Sequence, residues 1–372
     1  MIEKKPVAFI DCDVFSKATE NGNPINQPIK IGNSVVCDGY LQDKGVREDN
    51  RTTAVFTHFH DDHTWNYSNA LRHCNHILMT ELTYEAIKSL KNLPDRPSIE
   101  KLPYNRPFQT GYGETVELID ANHVPGSCQV LVTMEETNQK ILYSGDFSFP
   151  EIPTPKTDIL ILDGTHGTDS FDFDTDKQSV LNRIFDEVFE QIENDNPVEI
   201  LANRGTMQEI MGHLHKTIDG RFIADDIPFL AESSDVNLTN AIKSFYDDVK
   251  FRELSISNNS VLNELYDEHK QYIRFARPNY GSAQQERAKI IQADVNPNFK
   301  SQGAFWTDKN GKVYACLAAH ATFDNVIKYV KSVDPEKVIV DGTRVSYDMA
   351  ESLANTLSKK LGIVAFAHNC KS

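Results

Sequence analysis

The sequence has few cysteines and no paired-cysteine motif. Six cysteines are scattered over 372 residues, and no two of them form a C-x-x-C pair. A chain of this length buries a large core without cross-links. The spacing therefore indicates reduced thiols and excludes a disulfide framework.

The sequence also lacks a long apolar run and a secretory leader. No run approaches the roughly 20 residues that a membrane-spanning helix needs. The opening stretch, MIEKKPVAFIDCDVF, has neither a long apolar core nor a small-residue cleavage site. We therefore expect a cytoplasmic protein with no membrane partner.

Basic residues are outnumbered, with 38 lysines and arginines against 54 aspartates and glutamates, a net charge of −16. This balance excludes a protein that coats nucleic acid or acidic membrane with its whole surface, but it leaves room for a local basic groove. The hydrophobic share of 40% and charged share of 25% are ordinary for a globular protein.

Short apolar runs between turns predict several strands in the first part of the chain. Two of them, KILYSGDF and DILILDGTHG, run directly into an aspartate. Strands of α/β sheets present catalytic groups at one edge in this way. After Gly167 a long amphipathic helix is followed by alternating strands and helices, which predicts a second α/β module with a parallel sheet.

The stretch FTHFHDDHTW, from Phe56 to Trp65, concentrates imidazoles and carboxylates in one loop. Alternate residues at a strand end share a face, so His58 and His60 are expected to reach one ion. The chain then turns, and Asp62 and His63 point to a second spot. Imidazole and carboxylate ligands without thiolate suit Zn²⁺, with Mn²⁺ as a harder alternative.

Two further strand ends supply the remaining ligands of a two-ion centre. His123 lies before a Pro-Gly turn in DANHVPGS, and Asp146 lies in a glycine turn in LYSGDF. The Asp146 carboxylate is expected to bridge two ions about 3.5–4 Å apart. We interpret His166 and Cys128 as non-ligands. The remaining histidines are interpreted as ordinary surface or core residues: His73, His76, His213, His215, His269 and His368.

The motif H-x-H-x-D-H, followed by a distal histidine and a bridging aspartate, resembles the metallo-β-lactamase fold. THFHDDH and DANHVPGS resemble its β-CASP nuclease branch, which includes Artemis-like DNA nucleases, ribonuclease J and the pre-mRNA 3′-end endonuclease. The resemblance implies an α/β fold, a metallo-β-lactamase αββα sandwich with an inserted β-CASP-like α/β cap domain. The implied parts are residues 1–167, the cap 168–311 with NRGTMQEI at its opening turn, and a C-terminal return 312–372.

The resemblance also implies roles for residues beside the ions. Asp163 in LDGTHG and His320 in LAAHATFDNVIKYV stand at positions where the family has residues that assist catalysis. Asp62 is the third candidate catalytic residue. His320 is the candidate for protonating the leaving oxygen; the alternative is a histidine that caps the following helix. Asp341 in VIVDGT replaces the histidine of RNA-cleaving members and the apolar residue of Artemis-like members. It is expected either to ligate the second ion or to be a turn aspartate before Gly342.

The leading hypothesis is a nuclease that hydrolyses phosphodiester bonds in DNA or RNA through a hydroxide bridging two divalent ions, most readily Zn²⁺. Single-stranded DNA and exonuclease action are favoured, and an RNA-processing endo- or exoribonuclease is the alternative. A small-molecule ester, thioester or lactone hydrolase is disfavoured by the large insertion. A non-catalytic scaffold is disfavoured by the intact ligands.

Several residues are candidates for holding the nucleic acid. In YIRFARPNY, Arg274 and Arg277 alternate with aromatic residues, which suits phosphate contact and base stacking. The alternative is an amphipathic segment of the cap. Ser127, Thr165 and Arg204 are further candidate contacts to the substrate. The sequence does not determine the oligomeric state.

Overall fold

The computed structural model describes residues 28–40, 52–91, 94–172, 176–246, 254–257, 259–268, 270–278, 288–295 and 298–368. These residues form two compact units. The first comprises 28–87, 94–169 and 320–368, and the second comprises 88–91 and 170–319. The opening segment, from which we predicted that no leader is present, lies outside the described residues.

Two β-sheets form the centre of the first unit. The strands of the first sheet, in their spatial order, are β1 (Ile29–Ile31), β2 (Val35–Cys37), β3 (Thr53–Val55), β4 (His76–Met79) and β5 (Ile99–Lys101). The second sheet contains β6 (Phe108–Gln109), β7 (Glu114–Asp120), β8 (Cys128–Met134), β9 (Lys140–Tyr143), β10 (Ile159–Asp163), β18 (Lys337–Asp341) and β19 (Val364–Ala367). Its spatial order is β19-β18-β10-β9-β8-β7-β6.

The described residues of this part of the chain include the helices α1 (Tyr67–His73), α2 (Glu81–Lys91), α8 (Phe323–Val333) and α9 (Tyr347–Leu361), and residues 88–91 of α2 are counted with the second unit. Strand β10 shows how the layers pack. Ile159 and Ile161 face the first sheet, whereas Leu160 and Leu162 face the cluster formed with α8 and α9. A strand buried on both faces is apolar throughout, which explains its continuous ILIL run. The predicted α/β sandwich is confirmed.

The second unit is built on one sheet. Its strands are β11 (Val198–Ala202), β12 (Phe229–Ala231), β13 (Leu254–Ile256), β14 (Ile273–Ala276), β15 (Lys289–Asp294), β16 (Phe305–Thr307) and β17 (Val313–Cys316). Its helices are α3 (Lys177–Glu193), α4 (Thr206–Leu214), α5 (Ser233–Ile242), α6 (Asn259–Asp267) and α7 (Phe299–Gln302). The strand order is β13-β12-β14-β11-β15-β17-β16, and only the β16 pairing is antiparallel. This is the parallel module expected from alternating strands and helices.

Strand β17 belongs to the second unit although it lies in the predicted C-terminal return. Val313–Cys316 pairs in parallel with Ile291–Asp294 of β15. The chain re-enters the first unit at His320, directly before α8. In the described parts of the chain, no helix is both long and apolar enough to cross a membrane.

Candidate metal centre

Four donor side chains converge after strands β3, β7 and β9. They are His58, His60, His123 and Asp146, and one ligand atom from each lies within 4.8 Å of the others. His60 Nδ1 lies 3.0 Å from His58 Nε2 and 3.3 Å from His123 Nε2. Donors placed 2.0–2.1 Å from a tetrahedral ion would be about 3.3 Å apart. The spacing therefore fits one divalent ion.

The first two histidines follow the strand instead of lying at its end as expected. Strand β3 ends at Val55, and a turn follows in which His63 N donates to His60 O at 3.1 Å. Because the backbone turns here, the side chains of His58, His60 and His63 converge instead of alternating.

Buried hydrogen bonds set the tautomer of His58. Thr57 Oγ1 lies 2.9 Å from both oxygens of the buried Asp38 carboxylate, so it donates its proton there. Its lone pair then accepts from His58 Nδ1 at 3.1 Å. This leaves His58 Nε2 as the metal-binding atom. Burial, with the neighbouring His63 and His60, lowers the pKa of His58 well below its ordinary value, so the ring stays neutral as a ligand must.

His63 is oriented by the same aspartate. Its Nδ1 donates to Asp38 Oδ2 at 2.7 Å, and its Nε2 lies 3.2 Å from Asp146 Oδ1 without hydrogen-bond geometry. Burial alone would lower the pKa of His63, but Asp146 and Asp38 outweigh it and raise the pKa to about 10. A metal ion at Nε2 would bind through the same lone pair as that proton.

Asp62 stands beside His63 but is much less enclosed. Its Oδ2 lies 3.6 Å from His63 Nε2, and 42% of its side chain is exposed. The buried Asp146 carboxylate, by contrast, is close to His58 and His123, each at 3.6 Å, as well as to His63. Burial would raise the pKa of Asp146, but His63 and His320 hold it well below its usual range. Asp146 therefore lies close to His58 and His123 on one side and to His63 on the other, as expected for a carboxylate between two ions.

Asp163 and His320 form a hydrogen-bonded pair next to Asp146. His320 Nδ1 lies 3.0 Å from Asp163 Oδ2, its Nε2 lies 3.7 Å from Asp146 Oδ2, and the three residues form a second group of converging donors. Burial would lower the pKa of His320, but Asp146 and Asp163 raise it to about 9. Helix α8 begins at Phe323 with Thr322 as its N-cap. The side chain of His320 thus pairs with Asp163, which argues against the alternative that it caps this helix.

Two predicted substrate contacts instead support neighbouring site residues. Thr165 donates from its backbone N and its Oγ1 to Asp163 Oδ1, at 2.9 and 2.6 Å. Ser127 is buried, and its Oγ accepts from the backbone N of His123 and Val124 at 3.0 and 3.2 Å. These contacts fix Asp163 and the His123 turn, and the contact of either hydroxyl with a substrate stays a prediction.

The turn that presents His123 requires a glycine. Gly126 has φ +83, and a Cβ there would lie 2.7 Å from Leu82 Cβ and 2.8 Å from Thr83 N. The hydroxyls of Thr80 and Thr83 donate to Gly126 O at 2.7 and 2.9 Å. The Pro-Gly turn is therefore packed against the start of α2.

Asp341 is held by its own turn rather than by the donor groups. It pairs in register with Asp163 across β10 and β18. Its Oδ2 accepts from Arg344 Nη1 at 2.9 Å, and its Oδ1 accepts from Thr343 N at 2.8 Å. Among the described residues, neither donor group includes Asp341. The geometry thus supports the turn-aspartate alternative.

Three residues around the centre were not predicted from the sequence: Asp38, Tyr143 and Arg344. Tyr143 OH donates to Asp38 Oδ2 at 3.0 Å, and Arg344 Nη1 lies 3.3 Å from that hydroxyl. His166, which we interpreted as a non-ligand, is not a member of either donor group of the described residues. Its ring lies 5.5 Å from that of His320, and its Nδ1 is 2.9 Å from Ala321 O.

The three candidate arginines lie in the second unit, each in ion pairs. Arg274 is buried within β14 and pairs with the buried Glu199 at 3.2 Å, which favours the structural alternative. Arg204 pairs with Asp235 at 2.7 Å. Arg277 lies 3.7 Å from Glu232 and 3.9 Å from Asp235. Arg204 and Arg277 follow the carboxyl ends of the adjacent strands β11 and β14.

The fold and site define a two-sheet α/β sandwich with a histidine–aspartate cluster suited to a divalent ion. Residues 22–188 match the metallo-beta-lactamase superfamily. The chain therefore carries a metallo-beta-lactamase superfamily domain, which indicates a hydrolase. The fold typically binds divalent metal ions, in agreement with the cluster.

Three curated relatives are similar to parts of the chain. An uncharacterized protein in the lig 3′ region of Acidianus ambivalens is 37% identical over 122 residues, 30% of this chain and 80% of that protein. An uncharacterized protein of Synechocystis sp. is 30% identical over 130 residues, 30% of this chain and 23% of that protein. The DNA cross-link repair protein pso2/snm1 of Schizosaccharomyces pombe is 31% identical over 93 residues, 24% of this chain and 16% of that protein.

A solved structure shares the fold over most of the chain. A protein of unknown function from Enterococcus faecalis V583 superposes with a TM-score of 0.55 at 13% identity, covering 87% of this chain and 93% of that one. At this identity the likeness concerns the fold alone.

Proposed function

We propose that the protein is a nuclease of the β-CASP type that hydrolyses phosphodiester bonds with the help of two divalent ions, most readily Zn²⁺ and otherwise Mn²⁺. The observation that carries the proposal is the position of Asp146, which belongs to the donor group of His58, His60 and His123 and also lies 3.2 Å from His63 Nε2. The Asp163–His320 pair lies beside it. The similarity to a DNA cross-link repair protein supports a nucleic acid as the substrate.

In this proposal, two sets of residues hold the two ions. His58, His60, His123 and Asp146 would hold the first, and His63, Asp146 and Asp62 the second. When bound, such ions activate water and offset negative charge on phosphoryl oxygens.

His320 is the proton donor in this proposal. Its Nδ1 bonds to Asp163, so its Nε2, on the side of Asp146, is the atom that gives a proton to the leaving oxygen. Asp163 holds the ring in this orientation, and Thr165 in turn holds Asp163. Arg204 and Arg277, which are only partly buried, remain candidates for phosphate contact.

A matched cleavage assay tests the proposal. Single strands of DNA and RNA with equal sequence, each with a 5′-phosphate or a 5′-hydroxyl, are incubated with Zn²⁺, Mn²⁺ or Mg²⁺. We expect cleavage of DNA in preference to RNA, with products shortened from an end. Asp146→Asn should lower the rate at least about a hundredfold, as does loss of one preorganised electrostatic group in other hydrolases.

The control for that variant is Asp334→Asn. Asp334 is an exposed aspartate that pairs with Lys156 on the surface, and asparagine tolerates its left-handed backbone. This variant should keep the full rate. Preferential RNA cleavage would assign the protein to the RNA-processing group. Hydrolysis of esters, thioesters or lactones by a protein that leaves every strand intact would contradict the nuclease proposal.

A further inference from the structure

Arg344 is a buried cation next to the residues proposed for the second ion. Only 6% of its side chain is exposed. Its Nη1 donates to Asp341 Oδ2 at 2.9 Å and to Tyr143 OH at 3.3 Å, and its Nη2 lies 3.5 Å from the backbone oxygen of Asp38. Arg344 is thus tied to the same network that orients His63.

The Asp341 carboxylate forms an ion pair with this arginine. One oxygen accepts from Arg344 and the other from the backbone N of Thr343. To bind an ion, Asp341 would have to leave a buried guanidinium without its carboxylate. Breaking one half of a buried ion pair is strongly unfavourable.

Without Asp341, the second ion has weaker support than the first. The first position has three imidazoles and one carboxylate that converge. The second has His63 and Asp146 as buried donors, while the Asp62 carboxylate is 42% exposed and 3.6 Å from His63 Nε2. The positive charge of Arg344 also lies beside Asp38, which bonds to His63, and it opposes a further cation nearby.

We propose that Arg344 holds Asp341 in an ion pair and so keeps it from binding the second ion. The centre then binds one ion tightly and the other weakly enough to exchange. Arg344 is then a positioning residue that sets the difference in affinity between the two metal positions. The inference rests on the two-ion centre of the proposed function and is independent of the substrate.

Equilibrium dialysis of the metal-free chain against Zn²⁺, with bound metal counted per chain, measures both affinities without reference to activity. In the wild-type protein we expect the second ion to bind at least about tenfold more weakly than the first, the order of effect of one supporting group. Arg344→Met releases Asp341 and should tighten the second ion by about the same factor. Arg344→Lys preserves the charge and should keep the wild-type pattern.

The double variant Asp341→Asn/Arg344→Met is the charge-balanced control. It removes a buried ion pair as a whole, which proteins tolerate better than the loss of one partner. If Asp341 is withheld, the double variant should bind the second ion as the wild type does, and the gain of Arg344→Met should vanish. Circular dichroism checks that each variant is folded.

Three results would overturn the inference. Two ions of equal affinity in the wild type would contradict it, and this comparison needs no variant. An unchanged second affinity in folded Arg344→Met would contradict it. A second ion bound much more weakly by the double variant than by the wild type would identify Asp341 as a ligand. Absence of any bound Zn²⁺ would instead refute the metal centre itself, so the two failures are distinguishable.

Discussion

Asp38 connects the candidate metal-binding histidines to the core of the first unit. Its carboxylate accepts from His63 Nδ1, from the backbone N and Oγ1 of Thr57, and from Tyr143 OH. In Asp38→Asn, one oxygen becomes an NH₂ group and places a donor against the donors of Tyr143 and His63. We expect metal affinity to fall about 10- to 100-fold, as for other supporting groups around metal ligands.

Competition with a chromogenic chelator measures this change, and Asp334→Asn again serves as the control with wild-type affinity. An Asp38→Asn protein that retains its affinity would show that His63 is oriented without the carboxylate. Unfolding by urea, followed in parallel, separates a loss of metal affinity from a general loss of stability.

The contrast between Asp38 and the histidine cluster explains what the sequence could reveal. His58, His60, Asp62 and His63 are close in sequence, so their density alone predicted a metal site. Asp38 is a single aspartate with φ 57 before Gly39, and in the sequence it looks like any turn residue. Arg344 meets Tyr143 across 201 positions of sequence, so only the tertiary structure brings them together.

At the scale of elements, helix α4 contains a buried histidine. His213 is 3% exposed, and neither ring nitrogen has a hydrogen-bond partner among the residues that the structure describes. Burial, assisted by Lys216, lowers its pKa from 6.5 to about 4. Above pH 6.5 the ring is neutral in the folded and unfolded chain alike. Between pH 6.5 and about pH 4, the unfolded chain binds a proton that the folded chain does not bind. The free energy of unfolding therefore decreases as the pH is lowered through this window.

We predict that His213 lowers the free energy of unfolding by about 2 kcal/mol when the pH is lowered from 7.5 to 5. His213→Leu should remove that part of the pH dependence. The fluorescence of one tryptophan reports on the unit that contains His213, because Trp306 lies in β16 of the second unit and Trp65 in the first. Urea unfolding followed by Trp306 fluorescence in a Trp65→Phe background, with a chelator present, gives the values. Equal pH dependence with leucine would contradict the prediction.

The elements themselves were largely predictable, but their ends and assignments were less so. Apolar runs such as ILILD and VEILA are strands because each is buried in a parallel sheet. Strand β17 also has such a run, VYAC, yet nothing local indicates that it pairs with β15. Likewise, the alternation of Arg274 and Arg277 with aromatic residues suggested a nucleic-acid contact, whereas Arg274 forms a buried pair with Glu199 across β11 and β14.

At the scale of the whole molecule, the two units have separate cores, and the metal ligands all lie in the first. One core cluster gathers β11, β14 and β15 with α3 and α4, and other clusters join the two sheets of the first unit and its helices. An ion that binds only the folded first unit stabilises that unit by about 2.7 kcal/mol when its free concentration is 100 times its dissociation constant. We expect this linkage to leave the stability of the second unit unchanged.

Metal removal should therefore loosen one unit and spare the other. Hydrogen exchange followed by mass spectrometry, with and without a chelator, should show exchange accelerated about a hundredfold in segments 53–59, 121–128 and 140–147 when exchange reports unfolding of the whole unit. Segments 198–202 and 273–276 should exchange at unchanged rates. Asp146→Asn should show little difference between the two conditions, because its metal affinity is already lost. Equal acceleration in both units would mean that they unfold as one body, since the ligands lie only in the first.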